Sequence, residues 1–254
     1  KVTGLVLSDT RTHPCEAVVF NGDPAALLAG LLGNGGQQAI KPATAHPRSL
    51  SAWVWSFAAV PSDIDLCLHN VFFCSNPDRE FLPLANGQMP AEATLYVCAQ
   101  DRIQPRLKGL ERFEIIMNAP PKPTLSLHEV AECRARTFPQ LARYGLHFDR
   151  TPGGPPMTPH GCSGLFPGSQ GAIYGRSPHG ALASFQRPGA RTKLPGLYLA
   201  GGGTHPGAGV PMAALSGRHA AEAILNDLTS ATSFSQMAMR GGMSMVSRLT
   251  GREP

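Results

Sequence analysis

The sequence predicts a mixed α/β (α+β) fold, and three observations carry that reading. Ser49 to Val60, His69 to Ser75, Thr94 to Ala99 and Phe113 to Asn118 all have strand patterning, with only one short helical stretch, near Asp78 to Ala85, between them. That spacing argues for a mixed or antiparallel sheet, because parallel neighbours need long crossovers. A last apolar strand, Gly196 to Ala200, then leads through consecutive glycines into an alanine-rich helix, Met212 to Leu228. Finally, 28 glycines and 24 prolines among 254 residues indicate many ordered loops.

Each element has its own local reason. Val2 to Leu7 alternates, Ser8 to Thr12 is polar and Ala17 to Phe20 is apolar, which reads as a hairpin followed by a buried strand. Asn21-Gly22-Asp23-Pro24 breaks that strand. Asp23 is placed to cap a helix from Pro24 to Leu32, with proline in its first turn, and Gly33 to Gly36 ends it. Trp53, Trp55 and Phe57 share one face of their strand at period two. Leu127 to Leu141 has helical spacing, Ser126 and Glu129 form a capping-box pattern, and Pro139 disturbs the end. Arg150 to Gly171 reads as an ordered loop lining a site, and the Ser/Met/Gly-rich stretch from Thr229 onward as a frayed tail.

Composition narrows the classes. A hydrophobic content of 42% supports a true core. No apolar run reaches the ~20 residues of a spanning helix. The six cysteines form no C-x-x-C pair and no zinc-ligand spacing, so no metal site is expected and free thiols in a reducing, cytoplasmic setting are. The net charge is +5, but the basic residues are dispersed without interleaved aromatics, which argues against a nucleic-acid surface. A mild basic bias suits an anionic membrane surface or plain solubility. The strand-like opening at Lys1 leads to the expectation that the chain begins mid-protein.

Residues 197–211 are the densest chemical signal. Gly201-Gly202-Gly203-Thr204-His205-Pro206-Gly207-Ala208-Gly209-Val210-Pro211 joins the last strand to the last helix. Glycines let a ligand approach the backbone, and a helix amino end carries about half a positive charge. The pair favours an anion or a carbonyl gaining negative charge. The same residues also suit close strand-to-helix packing with no ligand. A dinucleotide G-x-G-x-x-G is missing: Gln38 stands at the third glycine place after Gly33-Asn34-Gly35, and Met212 after Gly207-Ala208-Gly209. Gly161-Cys162-Ser163-Gly164 is one residue short of a nucleophile elbow and follows no strand.

The loop resembles the C-terminal flavin motif of the carotenoid desaturase family, the bacterial phytoene-desaturase-like FAD enzymes. Ala17 to Pro24, His69 to Phe73, Tyr96 to Arg102, Leu165 to Arg176 and Ser184 to Thr192 extend the resemblance to about Leu228, and are most similar to the branch that desaturates 1-hydroxycarotenoids. Asp9-Thr10-Arg11 and Gly161-Cys162-Ser163 depart from the family pattern. The family is a two-domain FAD oxidoreductase whose βαβ unit would lie upstream. The resemblance therefore implies the C-terminal half only: 1–33 the end of the FAD-domain strands, 34–150 a substrate domain, 151–228 a loop plus the last FAD strand and helix, and 229–254 a disordered tail. It implies that Gly201, Gly202, Gly203 and Thr204 pass the ribityl and pyrophosphate of FAD, while Gly207, Gly209, Val210 and Pro211 face the isoalloxazine. The implied chemistry is hydride removal from a carotenoid beside its polyene, at a membrane surface, with the missing half needed to hold FAD. His205 is a candidate for proton handling or for structuring the loop. Trp53, Trp55, Phe72 and Phe73 either line a polyene channel or pack the sheet core. Arg102 and Arg176 either meet the substrate's hydroxyl end or a lipid phosphate, or stand solvated. A carotenoid isomerase, an amine-oxidase-like flavoprotein and a non-catalytic remnant are the alternatives.

Overall fold

The computed structural model describes residues 1–62, 64–103, 109–150 and 152–246, the stretch 231–246 by its backbone alone. Strands β1 (Gly4–Val6) and β2 (Thr12–Pro14) form the expected antiparallel hairpin. Strand β3 (Val18–Phe20) pairs in parallel with β8 (Leu197–Leu199), the last strand. The larger sheet comprises β4 (Ser51–Ala59), β5 (His69–Phe72), β6 (Leu95–Ala99) and β7 (Glu111–Ala119), in the order β4-β7-β6-β5 and antiparallel throughout. The mixed class and the antiparallel sheet agree with the sequence reading.

The large sheet is one-sided. Trp53, Trp55 and Phe57 stand opposite Met117, Ile115 and Phe113, so both strands present their large residues to one face. Helix α4 (Leu127–Arg143) covers that face, with Cys133, Phe138 and Leu141 in the core. Edge-to-face contacts join Trp55 to Phe138 at 5.9 Å and Phe57 to Phe148 at 5.0 Å. Each such pair adds about 0.5–1.5 kcal/mol beyond its buried area. The Ser126–Glu129 capping box forms as read. The helix runs two residues past Leu141, straight through Pro139. Burial of Leu141 and the bond from Gln140 Nε2 to the Ala93 carbonyl hold its last turn.

The smaller sheet is two-sided, as period two demands of a strand buried on both faces. Leu197 and Leu199 pack with Leu27 and Ile40, while Tyr198 and Ala200 pack with Ala220 and Ala223 of helix α6 (Val210–Val246). Three expectations are corrected. The helix expected to Leu32 is only α1 (Ala25–Leu28), because Gly30 turns the chain at φ +77°, and a second short helix, α2 (Asn34–Gln37), follows. Helix α3 (Pro77–Ala85) matches its expected place, but the stretch read as loop contains α5 (Pro159–Leu165), capped by Thr158. Helix α6 continues to Val246, through most of the segment read as a frayed tail. Nothing in 229–240 is a glycine or proline that would stop it.

Candidate functional site

The turn after β8 is held from within the chain. The Gly201 amide donates to Ser216 Oγ at 2.8 Å, and Ser216 sits nearly two turns into α6. The Thr204 amide closes back on the Gly201 carbonyl at 3.1 Å, and the His205 amide donates to the Pro188 carbonyl at 2.8 Å. Two glycines are required by closeness to β3 and α1 rather than by a ligand. A Cβ on Gly201, at φ +107°, would lie 2.5 Å from Asn21 Oδ1, and one on Gly203 would lie 2.5 Å from Pro24 Cδ. The sequence offers packing and ligand approach as alternatives for this loop; packing accounts for Gly201 and Gly203 and leaves Gly202 and Gly209 with open space.

The opposite side of the turn is free. A Cβ on Gly202 would meet nothing closer than Ala208 Cα at 3.6 Å, and one on Gly209 would meet nothing within 4 Å. Among the described residues, the amides of Gly202, Gly203, Gly207, Ala208, Gly209, Val210 and Met212 have no hydrogen-bond partner; the first helical bond of α6 is Ala213 N to Gly209 O, at 2.8 Å. Thr204 Oγ1 is buried and also unpartnered. A flat ring that gains negative charge on reduction is suited by open backbone, amides without an internal acceptor and a positive helix end, and this turn has all three. The residues fit a flavin edge.

Other candidates fall elsewhere. His205 stands in the turn, its Nδ1 3.0 Å from the Ser184 carbonyl, with its ring stacked between Phe185 and His219. Trp53 and Trp55 are buried side by side, their rings 6.1 Å apart. Trp53 also lines a cavity of about 280 Å³ with Met89, Met117, Leu125 and Cys133. Phe72 is tilted against Tyr144 at 5.5 Å, whereas Phe73 is 71% exposed. Arg102 is neither solvated nor free for a ligand: it is buried in a two-pronged bond to Glu111, at 2.7 and 3.1 Å, and also donates to the Leu66 carbonyl. Arg176 is held by the Ala43 and Ser177 carbonyls and by Gln186. The structure therefore does not gather these six residues into one channel.

Sequence reasoning missed two features of the site. Arg187 underlies the glycine turn, donating from Nη1 to the Gly202 carbonyl at 3.0 Å. Asp227 of α6 receives Tyr198 Oη at 2.9 Å and Arg191 Nη2 at 2.9 Å, locking the helix to β8. The Arg191 and Tyr198 hydrogen bonds hold the Asp227 carboxyl below the usual aspartate range. The Gln186-Arg187-Pro188 string was visible, but nothing local tells where that guanidinium points.

Residues 167–225, which include Arg187, the turn and the start of α6, match the family model described as flavin containing amine oxidoreductase. The chain is 62% identical over 91% of its length to a hydroxyneurosporene desaturase of Cereibacter sphaeroides, covering 47% of that protein. It is 54% identical over 91% of its length to the hydroxyneurosporene desaturase of Rhodobacter capsulatus, again covering 47%, and 39% identical over 99% of its length to that of Rubrivivax gelatinosus, covering 49%. The chain spans about half the length of the curated relatives it matches. Over that half it is similar to members of the carotenoid desaturase family. Among the described residues, no helix is long and apolar enough to cross a membrane.

Proposed function

We propose that this chain supplies the substrate sheet and the flavin-edge turn of an FAD-dependent carotenoid desaturase. The observation that carries the reading is the row of unpartnered amides leading into α6, inside the stretch matched by the flavin family model. When bound, the flavin supplies the hydride acceptor. The chain's own residues do the rest. The free amides from Gly207 to Val210 and the positive end of α6 stabilise negative charge at the ring edge. Gly201 and Gly203 hold the turn close against Asn21 and Pro24 so that this edge stays aimed. The cavity of about 280 Å³ beside Trp53, walled in part by Met89, Met117 and Leu125, offers an apolar surface to part of a long polyene. His205, whose Nε2 has no hydrogen-bond partner among the described residues, is the side chain in the turn able to take a proton.

The names of the relatives make a hydroxylated carotenoid the proposed substrate class. So apolar a substrate is met at a membrane surface, and the net charge of +5 suits peripheral attachment to an anionic one. Incubating the flavin-loaded enzyme with such a carotenoid should give a product that has lost two hydrogens and absorbs at longer wavelength. A product of unchanged mass and altered geometry would replace this reading with an isomerase.

A further inference from the structure

Arg187 is an unusual buried cation. Only 6% of it is exposed. Its Nη1 donates to the Tyr174 carbonyl at 2.7 Å and the Gly202 carbonyl at 3.0 Å, and its Nη2 to the Arg176 carbonyl at 2.7 Å. One guanidinium thus joins the 174–176 segment to the glycine turn. Gly207 lies on its flank, where an added Cβ would sit 3.3 Å from Arg187 Nε. That Nε has no partner among the described residues. Arg187 also lines a cavity of about 330 Å³ beside Pro206, Gly207 and Ala208, next to the amino end of α6.

All its acceptors are neutral. The carboxylate that acts on it, Asp23, is bonded to Arg48 in a pair that is itself buried. Burial, then Arg176 and Arg48, push the Arg187 guanidinium below its usual range, while Asp23 offsets part of this. Arg187 therefore has two like-charged neighbours, Arg176 and Arg48, against one carboxylate, Asp23, that is already paired. A buried, unmatched positive charge is costly to a protein unless something negative arrives nearby. Arginine stays protonated under such pressure, so the charge remains.

We propose that Arg187 is a positioning residue that clasps the glycine turn and keeps uncompensated positive charge beneath it, so that the site favours a reduced, anionic flavin over the oxidised form. The inference rests on the flavin reading above. It is tested by the two-electron midpoint potential of the flavin-loaded enzyme and of Arg187→Gln, Arg187→Lys and Arg176→Gln. Arg187→Gln should lose about tenfold in its preference for reduced over oxidised flavin, a potential lower by about 30 mV. Arg187→Lys, which keeps the charge without the fork, should recover most of that shift. Arg176→Gln, which keeps the backbone carbonyl that Arg187 holds and removes only a neighbouring charge, should shift in the same direction by less, and decides the matter alone if Arg187→Gln does not fold. Wild-type potentials in the glutamine variants, or an Arg187→Lys potential as low as that of Arg187→Gln, would overturn the inference while leaving the flavin reading intact. A complete wild-type enzyme that takes up no flavin would overturn both.

Discussion

Neighbouring glycines in the turn have separable duties. Gly203 is pressed on Pro24, so Gly203→Ala should destabilise the fold by about 1–3 kcal/mol, the usual cost of overpacking. Gly202 has ordinary clearance, and Gly202→Ala should change stability by less than about 0.5 kcal/mol. Chemical denaturation of the two variants checks the contrast, and equal losses would contradict it. The cysteines divide in a similar way. Burial pushes the Cys133 thiol up to about 12, whereas Cys67 is exposed. At pH 8 a thiol reagent should label Cys67 in the native chain and reach Cys133 only on unfolding. Labelling of both at the same rate would show that the sheet core is open. What was legible at this scale was local. Asp23 was read as a cap from its neighbours, and its Oδ1 does accept the Ala25 amide at 2.9 Å. The pairing of Arg102 with Glu111 and the clasp of Arg187 depend on atoms brought together by folding, and the sequence carries no signal for either.

At the scale of elements, the union of β8 with α6 sets the geometry of the site, because the turn is fixed at both ends. Ser216 ties α6 to Gly201, and Asp227 ties it to Tyr198 and Arg191. The folded-state pKa of Asp227 is depressed. Its contribution is therefore fully present above the ordinary aspartate range and is lost as pH falls through the lowered value. The melting temperature of Asp227→Asn should sit below that of wild type at neutral pH, and the gap should close on acidification. A gap that does not depend on pH would remove this carboxylate from the account. The strands were legible because period two and large aromatics both point to a half-buried sheet. Short helices were less so. Thr158-Pro159 is a sound helix start, yet the glycines around α5 outweighed it in the reading. Gly30 ended α1 early because its left-handed backbone outweighed the apolar run Leu27-Leu28.

At the scale of the whole molecule, a one-sided sheet with its own aromatic core stands in the same chain as a strand–turn–helix unit that offers open amides. The first buries its aromatic face under α4, and the second leaves amides at the amino end of α6 without an internal acceptor among the described residues. The unit lacks the glycine fingerprint that grips a dinucleotide's pyrophosphate. Purified by itself, this 254-residue chain should therefore keep far less than one flavin per molecule through gel filtration. A stoichiometric yellow complex would mean that the turn grips more of the cofactor than its edge.

The central claim is that the turn from Gly201 to Pro211 holds that edge. It is tested most directly by the flavin content of the complete enzyme after gel filtration, wild type against Gly202→Leu, with a thermal melt to confirm that both are folded. About one flavin per wild-type chain is expected, and almost none in the folded variant. Wild-type flavin content in folded Gly202→Leu would contradict it.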